Sequence, residues 1–118
     1  MKEHIQVFES AARTATPTDA NITVGSATGF FVINVTAATA TPSVVFAVNG
    51  VTKAGTEFNI ITSAAITGTG TTVLRVFPGA TAVANLAVND MLPEALNISA
   101  THGDADSITY SVEFLGVF

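Results

Sequence analysis

The sequence predicts an all-β fold: a single-domain β-sandwich, jelly-roll-like or immunoglobulin-like, of about seven or eight strands. Three observations carry this. Apolar and polar residues alternate with a period of two over several runs, most plainly in Leu96–Thr101 and Ile108–Phe114. No stretch places large apolar residues at the i, i+3, i+4, i+7 spacing of an amphipathic helix. Turn signals recur roughly every 8–14 residues, as expected for short strands packed in two layers. The 118 residues make one domain, 1–118, able to bury roughly two-thirds of its extended surface.

Taken in order, Ile5 and Val7 alternate with Gln6, predicting a strand over about Ile5–Ala12. Residues 1–12 are accordingly an edge strand or an N-terminal arm, set off by the Thr-rich link around Thr14–Thr18. Pro17 lacks an amide hydrogen and does not fit a central ladder. Asn21–Val24 reads as a short strand and Gly25–Gly29 as a turn. Phe30–Thr36 is a strand with Phe31, Ile33 and Val35 on one face and Phe30, Val32 and Asn34 on the other. Both faces begin apolar, which predicts a central strand covered on two sides. Thr36–Pro42 is a loop of small residues.

Val44–Asn49 and Glu57–Thr62 form a predicted hairpin around Lys53–Thr56, with Asn49-Gly50 a bulge or the start of the turn. After the Thr/Gly-rich Ala64–Gly70, Thr71–Phe77 is a strand, Val73 and Phe77 alternating against Leu74 and Val76, and Pro78-Gly79 ends it. Ala80–Ala95 is expected to be an extended crossover, with a helical turn or two an alternative over Thr81–Val88. The last two runs, joined by the Gly- and Asp-containing His102–Ser107, predict a β-hairpin whose apolar face a second sheet must cover. The predicted core unites Phe31, Ile33, Phe46, Ile60, Val73, Ile98, Tyr110 and Val112, and most of the eight Phe.

Charge is scarce. Charged residues are 11% of the chain, against about 25% in an average domain. No apolar run approaches the length that spans a bilayer, so the expectation is a soluble chain with a Thr, Ser, Ala and Asn surface suited to assembly. Met1–His4 is not a clean positive leader segment, and Gln6 and Glu9 break the apolar run after it, so no secretory signal is expected. Net charge is −5, and Lys2, Arg13, Lys53 and Arg75 are scattered, which argues against nucleic-acid binding. There is no Cys for disulfides or thiolate metal sites.

Candidate chemistry is thin. His102, Asp104 and Asp106 share one turn and include cation-ligating types, but Asp-x-Asp without further ligands reads better as a solvated turn. Ser107 lies in the same turn, without a nucleophile elbow, and His4 is the only other imidazole. Gly68-Thr69-Gly70 is half a phosphate loop lacking Lys and a helix start. Three N-x-S/T triplets, at Asn21, Asn34 and Asn97, read as chance in a Thr-rich chain. Glycan-stacking Trp is missing, and Tyr110 falls on the apolar face of its strand. No catalytic, cofactor-binding or metal-binding residue is assigned, and no enzyme is expected.

Two segments, ITSAAITGTGTTVLRVFPG (Ile61–Gly79) and LNISATHGDADSITYSVEF (Leu96–Phe114), resemble small structural proteins encoded among the head genes of tailed bacteriophages. SAARTATPT and VINVTAATATPSV fit the same pattern, and the likeness runs from about Ser10 onward. The Lys53–Thr56 turn is shorter than that pattern leads one to expect. The resemblance implies a virion component, best a capsid decoration (cement) protein that binds and stabilises the outer surface of the head. Its partners would be the major capsid protein and itself, as a trimer on three-fold positions by analogy. It would be made in the bacterial host cytoplasm. A tail or head-tail connector protein, or a receptor- or glycan-binding module, are the alternatives. Self-association also follows from composition, because a chain this poor in charge has little with which to guard its sheet edges. Residues 1–12 are the segment expected to reach a neighbour.

Overall fold

A computed structural model describes residues 2–117. Nine strands form two sheets. They are β1 (Lys2–Arg13), β2 (Ala20–Thr23), β3 (Thr28–Ala38), β4 (Val44–Val51), β5 (Glu57–Thr62), β6 (Gly70–Val76), β7 (Ala87–Val88), β8 (Ala95–His102) and β9 (Ile108–Val117). One sheet runs β1-β9-β3-β6-β7 and the other β2-β8-β4-β5. β1 pairs with β9, β2 with β8, β3 with β6 and β4 with β5, all antiparallel. The chain is thus one long antiparallel ribbon rolled over, with β9 also pairing β3 and β8 pairing β4. That order is the jelly roll, not the immunoglobulin arrangement.

The predicted terminal hairpin is the largest correction. β8 and β9 do not pair; they belong to opposite sheets, and His102–Ser107 arches between the layers. Leu96, Ile98 and Ala100 face Tyr110, Val112 and Phe114 across the core rather than lying beside them on one face. A second correction concerns β6. Leu74 and Val76 are buried there and Val73 is only half-buried, so the inward face is the opposite of the one predicted. The other predicted core residues are buried. The Phe residues divide: Phe8, Phe31, Phe46 and Phe114 are inside, Phe30, Phe58 and Phe77 are exposed, and Phe118 lies outside the described residues.

The predicted Val44–Thr62 hairpin forms. Its turn is Thr52–Thr56, with Gly55 at φ +88°, where a side chain would be strained. The register slips next to Asn49, and the extra residue is Ile60 on β5, so Ile60 and Ile61 are both buried. In β1, two irregularities turn Phe8 inward against Tyr110, with ring centroids 6.4 Å apart. β1, which spans most of residues 1–12, lies at the edge of its sheet. The stretch after β6 forms a turn at Ala84–Leu86 and then β7, parallel to β6, and no helix.

A carboxylate fastens β1 to the β2–β3 connection. Glu3 accepts from the Ser26 hydroxyl at 2.7 Å and from the Gly25 and Ser26 amides at 3.1 Å each. The Ser26 hydroxyl, then the Gly25 amide, hold its carboxyl below the ordinary 4.5.

Candidate functional site

Of the residues singled out in the sequence, His102, Asp104, Asp106, Ser107 and Tyr110 gather at one end of the sandwich, in packing and turn contacts. His102 Nε2 lies 3.0 Å from the Tyr110 hydroxyl. Tyr110 is fully buried, and burial pushes its phenol up to about 12 while Arg13 pulls the other way. The Arg13 guanidinium sits 4.4 Å from the Tyr110 ring centroid and donates to the carbonyls of Tyr110, Ala11 and Glu9 at 2.9, 3.1 and 2.7 Å. Burial, then Arg13, lower the His102 pKa below 6.5, with Asp104 opposing them. Asp104 Oδ1 accepts from the Asp106 amide at 3.0 Å, and Asp106 Oδ2 from the Thr41 amide at 3.2 Å. The Ser107 carbonyl accepts from the Thr39 amide. Among the described residues, no three of His, Asp and Glu converge as a metal site would require. His4 pairs with Glu113, midway along β9, on the surface at 3.2 Å.

These groups make acid stability a test of the arrangement. A carboxyl with a lowered pKa stabilises the fold above its unfolded value, and that contribution is lost as pH falls through the folded value. Glu3 therefore acts below 4.5. A lowered histidine acts earlier, because below 6.5 the unfolded imidazole takes up a proton that folded His102 resists. Denaturant midpoints should fall in two stages on acidification. Glu3→Gln should flatten the lower stage and His102→Gln the upper; a profile indifferent to both variants would contradict these contacts.

A cavity of about 520 Å³ is lined by Ala64–Thr72 and Ala84–Leu86. It contains the Gly68-Thr69-Gly70 stretch, but every lining residue is apolar, Thr, Asn or Gly, with no cation for a phosphate.

The feature with binding character is the outer face of the five-stranded sheet. Strand register sets Leu115 beside Phe30 and Val117 beside Thr28, with His4 and Lys2 on one flank and Arg75 on the other. Phe30 is 40% exposed, Leu115 39%, Val117 54% and the neighbouring Phe77 36%. Shallow grooves of about 370 and 340 Å³ run over these residues, one reaching Lys2 and His4, the other Phe77. The Arg75 guanidinium lies 5.5 Å from the Phe30 ring centroid. The expectation of a strand covered on both faces is therefore corrected: β3 is central in its sheet but covered on one face only. The signal was present in β6, where Val73, Arg75 and Phe77 share one parity, and a charge on that face marks it as outward.

No protein-family model matches this chain, and no curated protein or solved structure matches it either.

Proposed function

We propose that this chain is a non-enzymatic structural protein of a tailed-bacteriophage virion, a decoration (cement) protein that binds and stabilises the outer surface of the head. The observation that carries the reading is the exposed Phe30–Leu115–Val117–Phe77 face on a chain with few charges. Contiguous exposed apolar surface of this kind marks a contact with another protein. The resemblance of Ile61–Gly79 and Leu96–Phe114 to phage head proteins supplies the class. In this reading the major capsid protein covers the apolar face, Lys2 and Arg75 meet carboxylates at its rim, and the protein is made in the host cytoplasm and resides on the capsid surface as a trimer. A jelly roll suits the task, since its rigid layers hold a wide contact surface in shape.

Binding to empty capsids tests it. Leu115→Asp puts a charge in the centre of the face without touching the core. A central interface residue is worth about 2 kcal/mol or more, so the variant should bind roughly 30-fold more weakly while unfolding at the wild-type midpoint. Wild-type protein that ignores capsids, or a variant that binds them equally well, would remove the reading.

A further inference from the structure

Four asparagines stand in one row across the outer face of the four-stranded sheet. Asn21 pairs with Asn97, Asn97 with Asn49, and Asn49 with Asn59. Their amides form two hydrogen-bonded pairs that point the same way, and between the pairs the buried Asn97 Oδ1 has no partner. Asn59 Nδ2 donates to Asn49 Oδ1 at 3.0 Å, and Asn97 Nδ2 donates to Asn21 Oδ1 at 3.2 Å. Asn97, in the middle, is only 5% exposed. The row therefore ends in a donor, Asn21 Nδ2, at the β2 edge and an acceptor, Asn59 Oδ1, at the β5 edge.

The backbone at both edges is open at the same level. The Val24 amide donates to the Glu94 carbonyl, so by the alternation of an antiparallel ladder Asn21 and Thr23 turn their N–H and C=O groups outward from β8. The Thr52 amide donates to the Thr56 carbonyl, which by the same alternation turns Glu57 and Asn59 outward from β4. All four residues are exposed. The far half of β5 is covered, since Asn85 Nδ2 donates to the Thr62 carbonyl. The other sheet guards its edges: β1 carries Lys2, Glu3, Glu9 and Arg13 and two irregularities, and β7 has two residues. β2, Ala20–Thr23, carries no charge at all.

We propose that copies of this chain associate head to tail, β2 of one adding to β5 of the next. β2 runs parallel to β4 and hence antiparallel to β5, so a copy placed in the same orientation continues the sheet's alternation. Setting Asn21 opposite Asn59 of the next copy sets Thr23 opposite its Glu57. Both pairs are of the outward-facing kind, each able to exchange two backbone hydrogen bonds. Asn21 Nδ2 of one copy then faces Asn59 Oδ1 of the next, donor to acceptor, across the boundary. A two-fold contact of β2 with β2 would instead set donor against donor. Head-to-tail contacts close as rings or extend as filaments, and the trimer proposed above is the ring that three of them close. The inference rests on the self-association in that reading and needs no capsid.

Sedimentation over a range of concentrations should give a multiple of 12.0 kDa for the wild type. Asn21→Asp keeps the acceptor for Asn97 and removes the outward donor, and Thr23→Pro removes an outward amide; both should sediment as monomers with unchanged unfolding midpoints. The chain has no Cys, so single-Cys variants report the geometry directly. Asn21→Cys mixed with Asn59→Cys should form a disulfide-linked dimer on mild oxidation, and neither should cross-link alone. A monomeric wild type would overturn the self-association as well as this contact. An oligomer unaffected by Asn21→Asp and Thr23→Pro, or cross-linked through Cys at 21 alone, would overturn the contact and leave the oligomer. Capsid binding by the monomeric variants reads the other face separately.

Discussion

Replacing Phe46 by alanine should lower folding stability by about 3–5 kcal/mol, a large share of the roughly 5–15 kcal/mol a domain has. Phe46 is fully buried on the inner face of β4. Its ring meets Tyr110 edge-on, centroids 5.1 Å apart at 90°, so one contact joins the two sheets. The surroundings have little room to collapse into the space left behind. The Phe46 amide donates to Ser63 Oγ at 2.9 Å, its carbonyl accepts from the Ser63 amide at 2.7 Å, and Arg13 pins the far side of Tyr110. Phe30→Ala is the control. Phe30 lies on the outer face, and its loss should change the midpoint by well under a third as much. Denaturant unfolding followed by Tyr110 fluorescence measures both. Equal effects would mean that the two faces of the sandwich are wrongly assigned.

Adding one carbon to Gly29 should have the second-largest effect. Gly29 and Gly116 sit opposite each other on β3 and β9; the Phe114 ring fills the space a side chain at Gly29 would occupy, and Ser26, with the ring behind it, fills that at Gly116. A Cβ at Gly29 would lie 2.5 Å from Phe114 Cε1 and 2.7 Å from the Leu115 carbonyl oxygen. The ring cannot swing away freely, because it packs on Phe31 at 5.0 Å, and the carbonyl belongs to the backbone. Gly29→Ala should therefore destabilise by about 1–3 kcal/mol, toward the upper end. Gly68→Ala, with open space around it, should stay within about 0.5 kcal/mol. Thermal unfolding of the two variants separates crowding from any general intolerance of alanine.

The architecture was legible where alternation had one phase. In β8, and in β9 as far as Phe114, the large apolar residues sit on one parity only, and the structure puts them inside. In β3 and β6 both parities carry large apolar residues, because the outer face holds Phe30, Val32, Val73 and Phe77. Periodicity cannot rank two apolar faces; Arg75 could have. The partner of β9 was not legible at all. A Gly-Asp turn of six residues serves a hairpin and an inter-sheet arch equally, and what decides is the long-range pairing of β9 with β1 and β3. The asparagine row was invisible for the same reason. Asn21, Asn49, Asn59 and Asn97 become neighbours only when three strand registers are known.

The rolled ribbon closes from its middle outward. β4 meets β5 across five residues, Thr52–Thr56, whereas Lys2 pairs with Val117. A ribosome adds roughly 5–20 residues per second, so β1 and β3 wait several seconds for the strand that fits between them. Pairings this distant in sequence are slow to form even in a finished chain, taking roughly milliseconds to seconds. A nascent chain halted before Ile108 thus carries β1 and β3 with a strand-wide gap between them, its inner apolar residues uncovered. It is in that interval, rather than in the finished sandwich, that the protein is most exposed to aggregation.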